Sequence, residues 1–223
     1  MFDWTSFVHS LPLLGQALLV TLKASLAGNL FGFLIAIPVT ALRLSSRPLA
    51  RTLGASYIFV FRGVPLLVQL LVIYYLLPTT GLPNLSPMTA AVLALSLCSG
   101  AYIAEILRGG FLAIPPGQIE AARLLGIGAA TTLVRIELPQ AVRLTLPSLV
   151  NELVLLIKAS ALISVVGLAD LSRVAQNLAA SDYLFFQHYL VLALAYCLIN
   201  LPLTFSGRLL ERHLARSQYR AAE

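Results

Sequence analysis

Residues 63–104 read GVPLLVQLLVIYYLLPTTGLPNLSPMTAAVLALSLCSGAYIA, and these 42 residues between Arg62 and Glu105 contain no Asp, Glu, Lys or Arg. A membrane helix needs about 20 mainly apolar residues. The stretch is therefore too long for one span. It breaks at 78–87, PTTGLPNLSP, where three prolines and a glycine mark a turn-rich loop. One helix is expected at about 54–77 and another at about 88–107.

Working outward, three more apolar segments appear. Residues 24–42 form a charge-free window inside a span at about 14–42. A segment at about 146–168 is apolar but holds Glu152 and Lys158, and one at about 185–207 is free of charge. The expected fold is an all-α membrane protein, a single transmembrane domain over residues 1–223 with five spans and a loop at 108–145. Composition agrees. Hydrophobic residues make up 59% of the 223 residues and charged residues 11%, with a mean hydropathy of +0.89. Soluble domains have roughly 45–50% and about 25%. Soluble enzymes, disulfide scaffolds and disordered tails are excluded. Cys98 and Cys197 lie in apolar stretches with no metal spacing, and they read as small buried hydrophobes.

Charge asymmetry orients the spans. Arg43, Arg47 and Arg51 follow the first; Arg108, Arg123, Arg135 and Arg143 follow the third; Arg208, Arg212, Arg216 and Arg220 follow the fifth. The loops on the other side hold only Arg173, offset by Asp170 and Asp182. The N-terminus is expected outside and the C-terminus in the cytoplasm. The net charge of +6 then belongs to the inner membrane surface, not to a nucleic-acid contact. Asp3 and the absence of a basic leader argue against a cleaved signal peptide. Trp4, Phe7 and His9 suit an interfacial anchor, and 169–178 reads as a short amphipathic surface helix. Gly28 and Gly32 form a GxxxG, a candidate close-packing face.

The loop at 108–145 carries the sharpest signal. It reads RGGFLAIPPGQIEAARLLGIG over 108–128 and continues to Ile136-Glu137-Leu138-Pro139. Pro116 and Gly117 suit a helix start and Gly126 a helix end. Glu120 is expected in the first turn, where the macrodipole favours a negative charge. Ala121 and Ala122 leave the helix bare enough for another backbone to approach, and Leu124 and Leu125 add an apolar contact. Such a helix suits insertion into a partner's cleft.

The spacing Glu-Ala-Ala-x3-Gly-x9-Ile-x-Leu-Pro is met by Glu120, Ala121, Ala122, Gly126, Ile136, Leu138 and Pro139. It resembles the EAA loop of the membrane subunits of ABC importers. Arg62-Gly63-Val64-Pro65-Leu66-Leu67-Val68-Gln69, Ala101–Gly110, and Asn151-Glu152 with Lys158–Leu162 resemble segments of the polar amino-acid permeases of that family. The likeness covers about residues 15–215. It implies the type I importer fold in a bacterial cytoplasmic (inner) membrane. It also implies a pair of membrane subunits, alike or related, driven by a pair of cytoplasmic ATPases and supplied by an external amino-acid-binding protein. Glu120, Ala121, Ala122, Arg123 and Gly126 would dock the ATPase. ATP and Mg would be bound there and not by this chain. Independently, neither Lys23 nor Lys158 follows a glycine, so no P-loop is present.

Polar groups inside apolar helices mark a pathway. The candidates are Gln69, Tyr102, Glu105, Asn151, Lys158 and Ser160, with Arg62 and Glu152 beside them. Asn151 and Lys158 are seven apart, about 20° in direction, and so share a helix face. A zwitterionic amino acid needs an anion and a cation, which Glu105 and Lys158 supply in principle. In some relatives the residue after the lysine is acidic; here it is Ala159. A gradient-driven small-solute carrier would account for the intramembrane charges but not for the EAA spacing. An importer of the same architecture for another solute is the nearer alternative. A membrane-embedded enzyme lacks support, because His9, His188 and His213 are scattered and no metal cluster is evident.

Overall fold

A bilayer offers no hydrogen-bond partners to the backbone, so each spanning segment must satisfy its own polar groups. The computed structural model, which describes residues 3–220 with side chains to Leu214, meets this requirement with helices, and it has no strand among those residues. Helix α1 (Trp4–Leu44) has 41 residues. At 1.5 Å per residue it is about 61 Å long, twice the hydrocarbon thickness. It therefore begins well before the expected span. Asp3 caps it, accepting from the Thr5 and Ser6 N–H groups. The hydroxyls of Thr21, Ser25 and Thr40 return to carbonyls four residues back, so polar side chains are buried without loss.

Helix α4 (Pro87–Leu112) packs along α1 through small residues. A Cβ on Gly28 would lie 2.6 Å from Leu95 Cβ, and one on Gly32 would lie 3.1 Å from the Gly100 nitrogen. The GxxxG is thus a true backbone-to-backbone seam, within one chain. Thr40 also donates to the Ala104 carbonyl across it.

The stretch expected as one helix at about 54–77 is two arms bent by 100°. Helix α2 (Pro48–Gly63) ends at Val64, whose backbone is extended, and helix α3 (Leu66–Leu71) continues through a π turn (Val72–Leu76) and a 3-10 turn (Leu77–Thr80). Pro65 explains the break, since its ring disfavours helical geometry at the preceding residue and it has no N–H to donate. Among the described residues four helices are long and apolar enough to cross a membrane, and the bent pair, counted as one, makes a fifth.

The segment expected as a loop at 108–145 is largely helical. It holds α5 (Pro116–Leu124), α6 (Ala129–Thr132), a π turn (Leu133–Glu137) and the start of α7 (Leu138–Ala159). Pro139, which has no N–H to donate, directly follows the π turn, and the helix runs through it. A 3-10 turn (Ser160–Val166) extends α7 to Gly167, which stops it with φ +82°. The amphipathic stretch after it forms α8 (Leu171–Asp182), capped by the Asp170 carboxylate and buried on its Leu171, Ala175 and Ala179 side. Helix α9 (Phe185–Arg220) closes the chain. Of the four tail arginines, the side chains of Arg216 and Arg220 lie outside the described residues.

At one end, the start of α1 is tied to the α8–α9 junction. Asp3 N–H donates to Gln187 Oε1 at 2.7 Å and Gln187 returns a bond to the Asp3 carbonyl at 3.0 Å. Ser6 donates to Asp182, which also receives His188. Much apolar surface remains open: only 11% of the most apolar window of α9 is buried. Cys98 is half-buried, whereas Cys197 is exposed on α9, where burial was expected.

Candidate functional site

Helix α5 is short, so it needs strong ends. Pro116 opens it, as the sequence suggested, and Glu120 is then its fifth residue. The first turn holds no acid, so the expected macrodipole role of Glu120 lapses. At the other end Gly126 has φ +73°. Its N–H bonds to the Arg123 carbonyl, and the Ile127 N–H bonds to the Ala122 carbonyl. This double return is a Schellman stop, for which glycine is the residue without steric cost. Gln140 on α7 donates to Gln118 at 2.7 Å and so ties α5 to its neighbour.

The faces of α5 then differ. Ala122 is buried, while Glu120, Ala121 and Arg123 are exposed. Leu124 is 89% exposed and Leu125 78%. Burying one leucine is worth roughly 1.5–3 kcal/mol. Two leucines are held open at the capped end of a short helix.

The pathway candidates fall into three places. Asn151 and Lys158 share the open face of α7 with Leu155, and the stripe continues to Leu162 and Val165 on the following turn. Among the described residues Lys158 makes no ion pair. Ser160 turns the other way, fully buried and donating to the Ile157 carbonyl. Gln69 is also buried. Its Nε2 donates to the Phe61 carbonyl at 3.0 Å and the Val64 carbonyl at 2.8 Å, the acceptors stranded by the bend before Pro65. In this structure it staples the break.

Tyr102 and Glu105 belong to a charged cavity of about 470 Å³ lined also by Arg43, Arg62 and Phe59. The Arg62 guanidinium stacks 5.0 Å from the centre of the Tyr102 ring, a cation–π contact. Glu105 is paired along its own helix with Arg108, whose Nε donates at 2.9 Å. Its other oxygen is buried without a partner among the described residues. Glu105 is thus an ion-pair partner of Arg108, and Lys158, expected with it to supply the two charges for a zwitterion, stands on another helix with its face open. Glu152 is buried on the inner side of α7, opposite in character to its neighbour Asn151. Arg43 was not singled out from the sequence as a member of this cavity. It stands 62 positions from Glu105, and no local spacing connects them.

Helices of this length, a bent span and an exposed helix between α4 and α7 describe a multi-pass membrane protein. The family model for the inner membrane component of binding-protein-dependent transport systems matches residues 28–216. The chain belongs to that family. The arginine transport system permease protein ArtQ of Bacillus subtilis (strain 168) is 36% identical over 95% of this chain and 97% of its own length. The glutamine transport system permease protein GlnP of Escherichia coli (strain K12) is also 36% identical, over 96% of this chain and 98% of its own. Among solved structures, a crystal structure of an amino acid ABC transporter with histidines superposes with a TM-score of 0.88 at 39% identity, over 96% of this chain and 99% of that one. The MetNI methionine ABC transporter, at 22% identity and a TM-score of 0.77, shares the fold.

Proposed function

We propose that this chain is the membrane subunit of an ABC importer that moves polar amino acids into the cell. Its N-terminus lies outside and its C-terminus in the cytoplasm, the arrangement favoured by eleven arginines on one side against one on the other. Two such subunits, identical or related, pair in the membrane. An ATPase dimer, which binds ATP and Mg, drives them, and an external binding protein delivers the solute. The relatives, an arginine and a glutamine permease among them, support the substrate class.

The observation that carries the coupling role is α5. Its Schellman stop at Gly126 fixes Leu124 and Leu125 in the open, beside Glu120, Ala121 and Arg123. Seating them in an ATPase cleft transmits movement only if the helix is rigid. The double variant Glu120→Lys/Gly126→Pro abolishes substrate-stimulated ATP hydrolysis in the reconstituted complex while circular dichroism stays unchanged. Normal stimulation in that variant would remove the docking role.

On the open face of α7, Lys158 is the cation for the substrate carboxylate, with Asn151 two turns away on the same stripe. Tyr102, Glu105 and Arg62 form a separate charged station, while Gln69 and Ser160 hold backbone geometry. The Lys158→Met variant raises the KM for labelled arginine or glutamine at least about tenfold, the loss of one charge-assisted bond. Transport that persists without any ATPase and follows an ion gradient would overturn the importer reading.

A further inference from the structure

The corner where α1 turns into α2 carries a concave basic surface. Arg43, in the last turn of α1, and Arg51, at the start of α2, line a cavity of about 480 Å³ together with Thr52, Ser56, Phe59 and Val60. No carboxylate lines it. Its polar wall is two guanidiniums and two hydroxyls, which all donate hydrogen bonds. Arg43 Nε is buried and has no hydrogen-bond partner among the described residues. A buried donor is rarely left unmatched; Glu105, which lines the adjoining cavity with Arg43, makes its hydrogen bonds to Arg108 instead. Helix α2 also begins without a side-chain cap.

The other wall is apolar. Phe59 is 80% exposed and Val60 47%. An anionic acceptor beside an open apolar surface is the profile of a phospholipid at the interface. A soluble anion would leave Phe59 uncovered. On the orientation proposed above, this corner sits at the headgroup level of the cytoplasmic leaflet.

We infer that this cavity binds the phosphate of an anionic phospholipid of the cytoplasmic leaflet. Arg43 and Arg51 hold the phosphate, Thr52 and Ser56 donate to its remaining oxygens, and the glycerol and upper chain lie on Phe59 and Val60. Arginine forks match phosphate geometry. Arg43 also lines the neighbouring cavity with Arg62 and Glu105, so the lipid fixes a guanidinium that both cavities share.

The test uses the full chain in nanodiscs of equal phosphatidylglycerol and phosphatidylcholine, with tightly retained lipid counted by native mass spectrometry after extraction. Wild type retains phosphatidylglycerol over phosphatidylcholine by at least about tenfold, as two interfacial arginines provide. The variant Arg51→Gln/Thr52→Val/Ser56→Ala, at three exposed positions, brings the ratio near one with helix content unchanged. Arg47→Gln, in the adjacent turn but outside the cavity, keeps the preference. Equal retention in wild type, or an unchanged ratio in the triple variant, overturns the site. Loss of the preference in Arg47→Gln would assign it to diffuse charge and overturn it as well. Displacement of the lipid by millimolar glycerol phosphate would assign the site to a soluble phosphate and overturn the lipid.

Discussion

Replacing Gly28 by alanine adds one carbon where the structure has no space. The new Cβ would stand 2.6 Å from Leu95 Cβ, whereas carbon atoms rest at about 3.5–4.0 Å. The helices must therefore part by about 1 Å at that level. Leu95 is fully buried and cannot swing away, because the colliding atom is its own Cβ, fixed to the backbone. Overpacking of this kind costs about 1–3 kcal/mol. Against this stands the helix propensity that alanine gains over glycine, up to about 1 kcal/mol, so the folded-to-unfolded ratio falls by up to about 30-fold. Gly109 lies in α4, and a Cβ there would meet nothing within 4 Å, so Gly109→Ala is the control. It gains up to about 1 kcal/mol of helix propensity. The assay is loss of helical circular dichroism as sodium dodecyl sulfate is titrated into dodecyl maltoside micelles. The midpoint falls for Gly28→Ala and holds or rises for Gly109→Ala. Leu95→Ala does not rescue Gly28→Ala, since it keeps the offending carbon. Equal midpoints for the two glycine variants, or full rescue by Leu95→Ala, would refute the seam.

Three further outcomes follow from named contacts. Gln69→Met removes both donors from the Phe61 and Val64 carbonyls; each stranded acceptor costs about 1–3 kcal/mol, and the thermal midpoint in detergent drops while Gln69→Asn, too short to reach both, drops it nearly as far. Gly126→Ala forces a side chain into φ +73°, costing about 1–2 kcal/mol, and is read as faster hydrogen exchange at α5 with the spans unaffected. Burial pushes the Asp182 carboxyl up, but His188, the Leu184 N–H and Ser6 outweigh that and hold it at about 2. Its folded pKa is depressed, so its contribution is complete above the usual 3.8 and disappears as pH falls toward about 2. The hydrogen-exchange protection factor at the α8–α9 junction falls over that window in wild type and is flat with pH in Asp182→Asn.

Much of the architecture was legible in the residues. A charge-free run of 42 with a proline-rich interruption dictates two crossings, because no charge there needs water and no helix continues through those prolines. The Pro116 start and Gly126 stop of α5 were readable for the same local reason: cap geometry depends on a few adjacent residues. The bend at Pro65 was less legible, since proline in a membrane helix is often absorbed as a mild kink. Pro12, Pro38, Pro147 and Pro202 all sit inside continuous helices. The difference at Pro65 is Gln69, whose side chain satisfies the carbonyls that a sharp break exposes.

What the amino-acid order determined by itself is local: which segments are apolar enough for lipid, where each helix starts and stops, and that Asn151 and Lys158 lie on one stripe. Which way that stripe faces, and who partners whom, was decided only by tertiary packing. Glu105 had Arg108 one turn along its own helix and Arg43 and Arg62 brought to its cavity by other helices, while Lys158 lies exposed on α7. Periodicity sets directions around one axis, while the choice of partner depends on how axes cross. Those crossings follow from shape, here the bare glycines at 28 and 32 that let α4 approach α1 to backbone contact.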